Sequence, residues 1–148
     1  SQANGTGSAA EPGDFDATIV DVLFEKALDN GSAVTIEGEY KMFNSDLTAT
    51  AAADPDCFCL FDGEAYFVTA AYLFPGSAGP GRFQPYFRYT SNEPDDALSS
   101  DLTEIGLNYI INGHNLRFNV NYTSGDANLT GSKGTDTDSF SLGVQIQI

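Results

Sequence analysis

At 148 residues the chain is long enough for one domain, but 21 acidic side chains against six basic ones leave a formal charge of −15, which excludes nucleic acid as the default partner. There are 15 Gly and no Trp, and no apolar run approaches the ~18 residues of a membrane helix, so a helical membrane protein is excluded too. The chain opens at Ser1 without an initiator Met or the basic, apolar and small-residue succession of a leader, so a processed protein or a piece of a longer one is expected.

Read in order, Ser1 to Gly13 (SQANGTGSAAEPG) has no apolar alternation and is expected to be loop. Asp16 to Lys26 is an ambiguous strand, because Ile19 and Leu23 oppose Val20, Val22 and Phe24. After the turn LDNGS, Val34, Ile36, Gly38, Tyr40 and Met42 alternate with Thr35, Glu37, Glu39 and Lys41, the pattern of a strand with unlike faces. A polar link from Asn44 to Glu64 leads to a strand at Tyr66 to Phe74 and the turn PGSAGPG. Phe83 to Tyr89 then alternates with Arg82, Gln84, Tyr86 and Arg88; a second polar link, Ser91 to Asp101, precedes a strand at Thr103 to Ile111. The turn NGHN follows, then Leu116, Phe118, Val120 and Tyr122 against Arg117, Asn119, Asn121 and Thr123. A third link, Ser124 to Thr137, leads to the closing strand with Phe140, Leu142, Val144, Ile146 and Ile148 at every second position. These segments run about nine to eleven residues, the length of a tilted strand that crosses a bilayer.

Short Gly-, Asn- and Pro-rich turns alternate strictly with long polar links. That is the wiring of an all-β, antiparallel up-and-down transmembrane barrel, with tight periplasmic turns and external loops at 44–64, 91–101 and 124–137, and with 1–13 as an external loop remnant. Most of the acids fall in these external segments, where Lys133 is the only cation. Such a rim would meet lipopolysaccharide through divalent cations; the plainer reading is a solvated acidic face. On these strand directions Tyr40, Tyr66, Tyr89, Tyr122 and Phe140 lie near external ends, and Tyr72, Phe74, Phe83 and Tyr109 near periplasmic ends. Two aromatic belts are what amphipathic rings form at the two interfaces of a bilayer. A soluble barrel or sandwich holding a ligand would have the reverse sidedness, with its apolar face inside. A small eight-stranded membrane barrel with an adhesive role would need one more strand, from Ser1 to Gly13.

GRFQPYFRYT, GLNYIINGHNLRFNVNYTS and DSFSLGVQIQI resemble the C-terminal strands of outer-membrane porins of the phosphate-selective (O and P) type. The resemblance covers Gly81 to Ile148 and extends more loosely to VTIEGEYKMF; Gln-Pro-Tyr and Gly-His-Asn-Leu are its most family-like motifs. It implies the C-terminal half of a homotrimeric barrel of about sixteen strands around a water-filled channel, about seven of them here, in the bacterial outer membrane. It also implies a terminal strand, Phe140, Leu142, Val144, Ile146 and Ile148, that is read by the barrel-assembly machinery. The family usually ends on an aromatic residue and lines its pore with Lys and Arg, whereas this chain ends on Ile148 and has few cations; phosphate selectivity does not follow.

The expected function is therefore passive diffusion of small hydrophilic solutes or ions, without catalysis. The pore lining is expected to be Glu37, Glu39 and Lys41, then Arg82, Gln84 and Arg88, then Glu104 and Asn108, then Arg117, Asn119 and Asn121. The alternative function is a small secreted or membrane barrel acting as a ligand-binding or adhesive module. The single His114 sits in a turn, and no second His is present for a Ser-His-Asp set. Cys57 and Cys59 form an isolated pair, for which a loop disulfide is favoured over zinc, and Asp54, Asp56, Asp62 and Glu64 lack EF-hand spacing. No metal or other cofactor is expected. The Asn-x-Ser/Thr triplets at Asn4, Asn30, Asn121 and Asn128 are chance matches in a bacterial chain.

Overall fold

The computed structural model of the chain describes residues 2–8, 11–45, 62–95, 97–112, 115–127 and 133–147. They form one antiparallel sheet of eight strands: β1 (Gln2–Ser8), β2 (Glu11–Ala27), β3 (Ala33–Ser45), β4 (Gly63–Leu73), β5 (Arg82–Pro94), β6 (Ser100–Asn112), β7 (Leu116–Ala127) and β8 (Lys133–Ile146). Each strand pairs with its successor, so the sheet is an up-and-down meander whose edges are β1 and β8. It is not closed into a barrel. Among the described residues no helix is long and apolar enough to cross a membrane.

Local chemistry makes the tight turns. Between β2 and β3, Gly31 takes φ 82°, a left-handed conformation that suits Gly. Its N–H donates to the Leu28 carbonyl at 2.9 Å, and the Asn30 side-chain oxygen accepts from the Ser32 N–H at 3.0 Å. Between β4 and β5, the Phe74 N–H donates to the Phe83 carbonyl at 2.9 Å and the Ala78 N–H to the Gly81 carbonyl at 2.8 Å. With turns this short, the next strand can only return beside the last.

The register then assigns every side chain to a face, since directly opposed residues share one. Leu23, Glu37, Thr69, Arg88, Glu104 and Thr123 oppose one another in succession across β2 to β7. The other face carries Phe24, Ile36, Ala70 and Phe87, and also Phe118 and Val144. The ambiguity of β2 is resolved by its partner. Val20, Val22 and Phe24 oppose Tyr40, Gly38 and Ile36, which leaves Ile19 and Leu23 on the polar face opposite Lys41 and Glu37.

Among the described residues no second layer covers either face. Ala17 is the only buried hydrophobic residue among those described, whereas Val22 is 61% exposed, Ile105 60% and Leu142 78%. The strands are held by their ladders and same-face neighbours, with no closed apolar core.

Two expectations are corrected. Within the segment 1–13, expected to be loop, residues 2–8 and 11–13 are strand: β1 pairs with β2 from Gln2 opposite Asp16 to Ser8 opposite Glu11, with a register shift between Ala3 and Thr6. Ladder bonds join backbones, so a strand of small and polar residues such as Gln2–Ser8 can pair without apolar alternation. The links expected at 91–101 and 124–137 are also shorter, because β5 runs to Pro94, β6 starts at Ser100, β7 runs to Ala127 and β8 starts at Lys133. Strands β2 to β8 span 11 to 17 residues for the same reason: pairing continues past the point where the faces cease to differ. In the 44–64 link, β3 reaches Ser45 and β4 begins at Gly63; Cys57 and Cys59 lie outside the described residues, as do Asp54, Asp56, His114 and Ile148.

Candidate functional site

The polar face encloses a hollow of about 810 Å³ that is lined from Leu23 and Glu25 on β2 to Gln145 on β8. A single hollow reached from seven successive strands requires the sheet to curl toward this face. Of the expected lining, Glu37, Gln84, Arg88, Glu104, Asn108, Arg117 and Asn119 meet at it. Glu39, Lys41 and Asn121 share the face nearer the end of the long links, where the Lys41 ammonium lies 2.7 Å from the Glu39 carboxylate. Arg82 sits at the turn end instead, its guanidinium donating to the carbonyls of Phe74 and Gly31 and so tying two tight turns together.

The middle of the wall is a run of side-chain amides. Asn108 Nδ2 donates to Gln84 Oε1 at 3.1 Å, Asn119 Nδ2 to Asn108 Oδ1 at 2.9 Å and Asn121 Nδ2 to Asn119 Oδ1 at 2.9 Å. Asn119 Nδ2 also donates to the Tyr86 hydroxyl at 3.2 Å, across the intervening strand β6. The path is open because residue 106 is Gly: a Cβ there would stand 2.2 Å from Tyr86 Cε1 and 2.3 Å from Cζ. Tyr86 was not among the expected lining residues. The signal was its parity, which it shares with Gln84 and Arg88 rather than with Phe83 and Phe87.

The cations of the wall have partners. Arg88 Nε donates to Thr69 Oγ1 at 2.9 Å and its guanidinium lies 5.6 Å from the Phe67 ring centroid, a cation–π arrangement. Arg117 donates to Gln145 Oε1 at 2.6 Å.

On the opposite face the rings fall into two rows. Tyr40 opposes Tyr66, and Tyr66 stands 6.2 Å from Tyr89; further along, Tyr122 opposes Phe140. At the turn end the Tyr72 and Phe74 centroids are 5.3 Å apart and those of Phe83 and Tyr109 5.0 Å, and the Tyr109 hydroxyl bonds the Ala78 carbonyl. Phe140, Leu142, Val144 and Ile146 of the terminal strand share this exposed face.

Beyond the row of rings at the end of the long links a buried carboxylate ties two hairpins. Asp126, its side chain only 5% exposed, accepts from Lys133 Nζ at 2.6 Å and from the Asp101 N–H at 2.8 Å. The ammonium first, and then that amide, hold the Asp126 carboxyl below its ordinary value, and the carboxylate holds Lys133 above its own. Among the described residues no three acidic, His or Cys side chains are gathered as a metal site requires.

No family model, curated protein or solved structure matches the chain.

Proposed function

We propose that the sheet is the wall of an outer-membrane channel of the porin type, through which small hydrophilic solutes or ions diffuse passively. One observation carries this reading. The apolar face is exposed across β2 to β8 yet holds no charge between its bounding residues: Asp16 and Lys26 on β2, Glu64 on β4, Glu93 on β5, Asp101 on β6 and Asp138 on β8. Water is a poor solvent for such a surface, and exposed apolar patches of this extent mark a partner or a lipid. One sharp acidic edge with a row of rings just inside it, and a second row of rings at the turn end, favour lipid. On β4 the uncharged outward positions, Tyr66 to Phe74, cover roughly 26 Å of strand. At the ~40° tilt of membrane strands that is about 20 Å of height, and a ring at each end brings it to the ~25 Å band of such barrels.

The opposite face is polar because it borders a wet lumen. Closure requires a partner for the β8 edge, supplied by further strands of a longer chain. The bacterial outer membrane, a homotrimeric assembly, contact of the acidic rim with lipopolysaccharide, and reading of the outward residues of β8 by the assembly machinery all belong to this proposal. A second reading, the small eight-stranded barrel, is favoured by β1, which supplies its eighth strand; it needs a β1–β8 seam. Planar-bilayer recording tests both. The porin reading predicts stepwise conductance from the chain carrying the closing strands and none from the 148-residue piece. Stable open channels from that piece by itself would favour the small barrel, and no conductance from either would overturn the channel reading.

A further inference from the structure

We propose that the inner wall holds a binding track for a neutral, polyhydroxylated solute, a sugar or polyol, with the Tyr86 ring as platform and the amides of Gln84, Asn119 and Asn121 as its hydrogen-bonding edge. This rests on the channel reading and names a solute class for the same wall.

The first support is the seat of Tyr86. Its Cε1, Cζ and Oη lie 2.2, 2.3 and 2.5 Å from where a Gly106 Cβ would be, so the ring lies across the backbone of β6. One ring face is against the sheet and the other is presented to the hollow, which Tyr86 lines. An exposed aromatic face of this kind packs well on the C–H face of a sugar ring and offers a hydrated anion little.

The second support is the amide run beside it. A primary amide has two N–H donors and two acceptor positions, and the Asn108, Asn119 and Asn121 bonds use only part of that capacity. Asn108, 8% exposed, is a positioning residue, while the partly exposed Gln84, Asn119 and Asn121 keep groups toward the lumen. Groups that donate and accept at one place complement a hydroxyl, which does both; phosphate oxygens mainly accept. From Gln84 to Asn119 the run crosses two strand spacings, about 10 Å, the length of two sugar rings.

The third support is charge. The hollow is lined by the carboxylates of Glu25, Glu37 and Glu104 against the guanidinium groups of Arg88 and Arg117, which leaves acid in excess. Glu104, which lines the same hollow as Tyr86, places a negative charge at the track. The wall therefore disfavours anions while leaving neutral hydroxyls well matched.

Calorimetric titration of the purified full chain in detergent micelles, with maltotriose and separately with inorganic phosphate, tests this. The expected result is saturable maltotriose binding and none for phosphate. Tyr86→Ala should weaken it at least tenfold, Tyr86→Phe should retain most of it because the platform is the ring, and Asn121→Ala, at an exposed edge, should weaken it several-fold with the circular dichroism unchanged. Phosphate binding without maltotriose binding, or a Tyr86→Ala chain that binds maltotriose as before, would overturn the proposal. Because binding is read without a bilayer, the two failures separate. Maltotriose binding in a chain that never conducts sinks the channel, whereas conductance without maltotriose binding sinks the track.

Discussion

The phenol ring of Tyr86 on β5 occupies the space that any side chain at Gly106 on β6 would need, with ring atoms 2.2 to 2.5 Å from the missing Cβ. The two residues act as one unit, because the ring reaches Asn119 on β7 only by crossing the bare backbone at Gly106. Gly106→Ala should therefore destabilise the sheet by about 1–3 kcal/mol through overpacking. Adding Tyr86→Ala should recover part of that loss, since the clash disappears with the ring. Urea midpoints of the two single variants and the double variant, compared with the parent, check this coupling; strictly additive losses would contradict it.

Faces of opposite character should respond oppositely to a charge. Val120 opposes Leu107 and Leu142 in the middle of the apolar face, while its neighbour Asn119 points into the hollow. Val120→Arg is expected to cost about 2–4 kcal/mol of membrane folding free energy and Asn119→Arg at most about 1 kcal/mol, following the depth dependence of lipid-facing charges in barrels. Folding into vesicles, followed by the gel-mobility shift of the folded form, gives both numbers.

The Asp126–Lys133 pair makes the rim sensitive to pH at both extremes. Asp126 is held below its ordinary value of 3.8, so its contribution is fully present above 3.8 and is lost as the pH falls through the lower folded value. Lys133 is held above 10.5, so its contribution is fully present below 10.5 and is lost as the pH rises through the higher folded value. At neutral pH Asp126→Ala should therefore expose the Asp101 amide, which the carboxylate now accepts from at 2.8 Å. The protection of that amide against hydrogen exchange, taken relative to the intrinsic rate at each pH, should fall in the variant, and in the parent at acid pH, with the amides of the central strands unaffected.

The sheet was legible in the sequence wherever its faces meet different surroundings. Val34 to Met42 and Leu116 to Tyr122 alternate because one side is apolar and the other wet, and their registers follow that alternation. It was not legible where that contrast vanishes. The paired segments Ser91 to Pro94 and Lys133 to Thr137 lie beyond the apolar band, polar on both sides, and so look like loop while their backbones remain in the ladder. β1 escaped notice for the same reason. In the wall, parity alone placed Gln84, Arg88 and Asn119 at the hollow. Parity could not reveal that Arg82, on the same face, is drawn to the turn carbonyls, nor that Tyr86 lies flat, which depends on a Gly one strand away. Neighbours across a sheet are set by register, and a single strand carries no record of the residue opposite.

The central claim, that lipid covers the apolar face and water the other, is tested most directly by spin labels placed singly from Leu116 to Tyr122 in the vesicle-folded chain, with Cys57 and Cys59 replaced by Ser. The account predicts collision with oxygen at 116, 118, 120 and 122 and with a water-soluble nickel chelate at 117, 119 and 121, an alternation of period two. Chelate access at 118 and 120 equal to that at 119, or protection of 118 and 120 from both reagents as in a closed protein core, would contradict it.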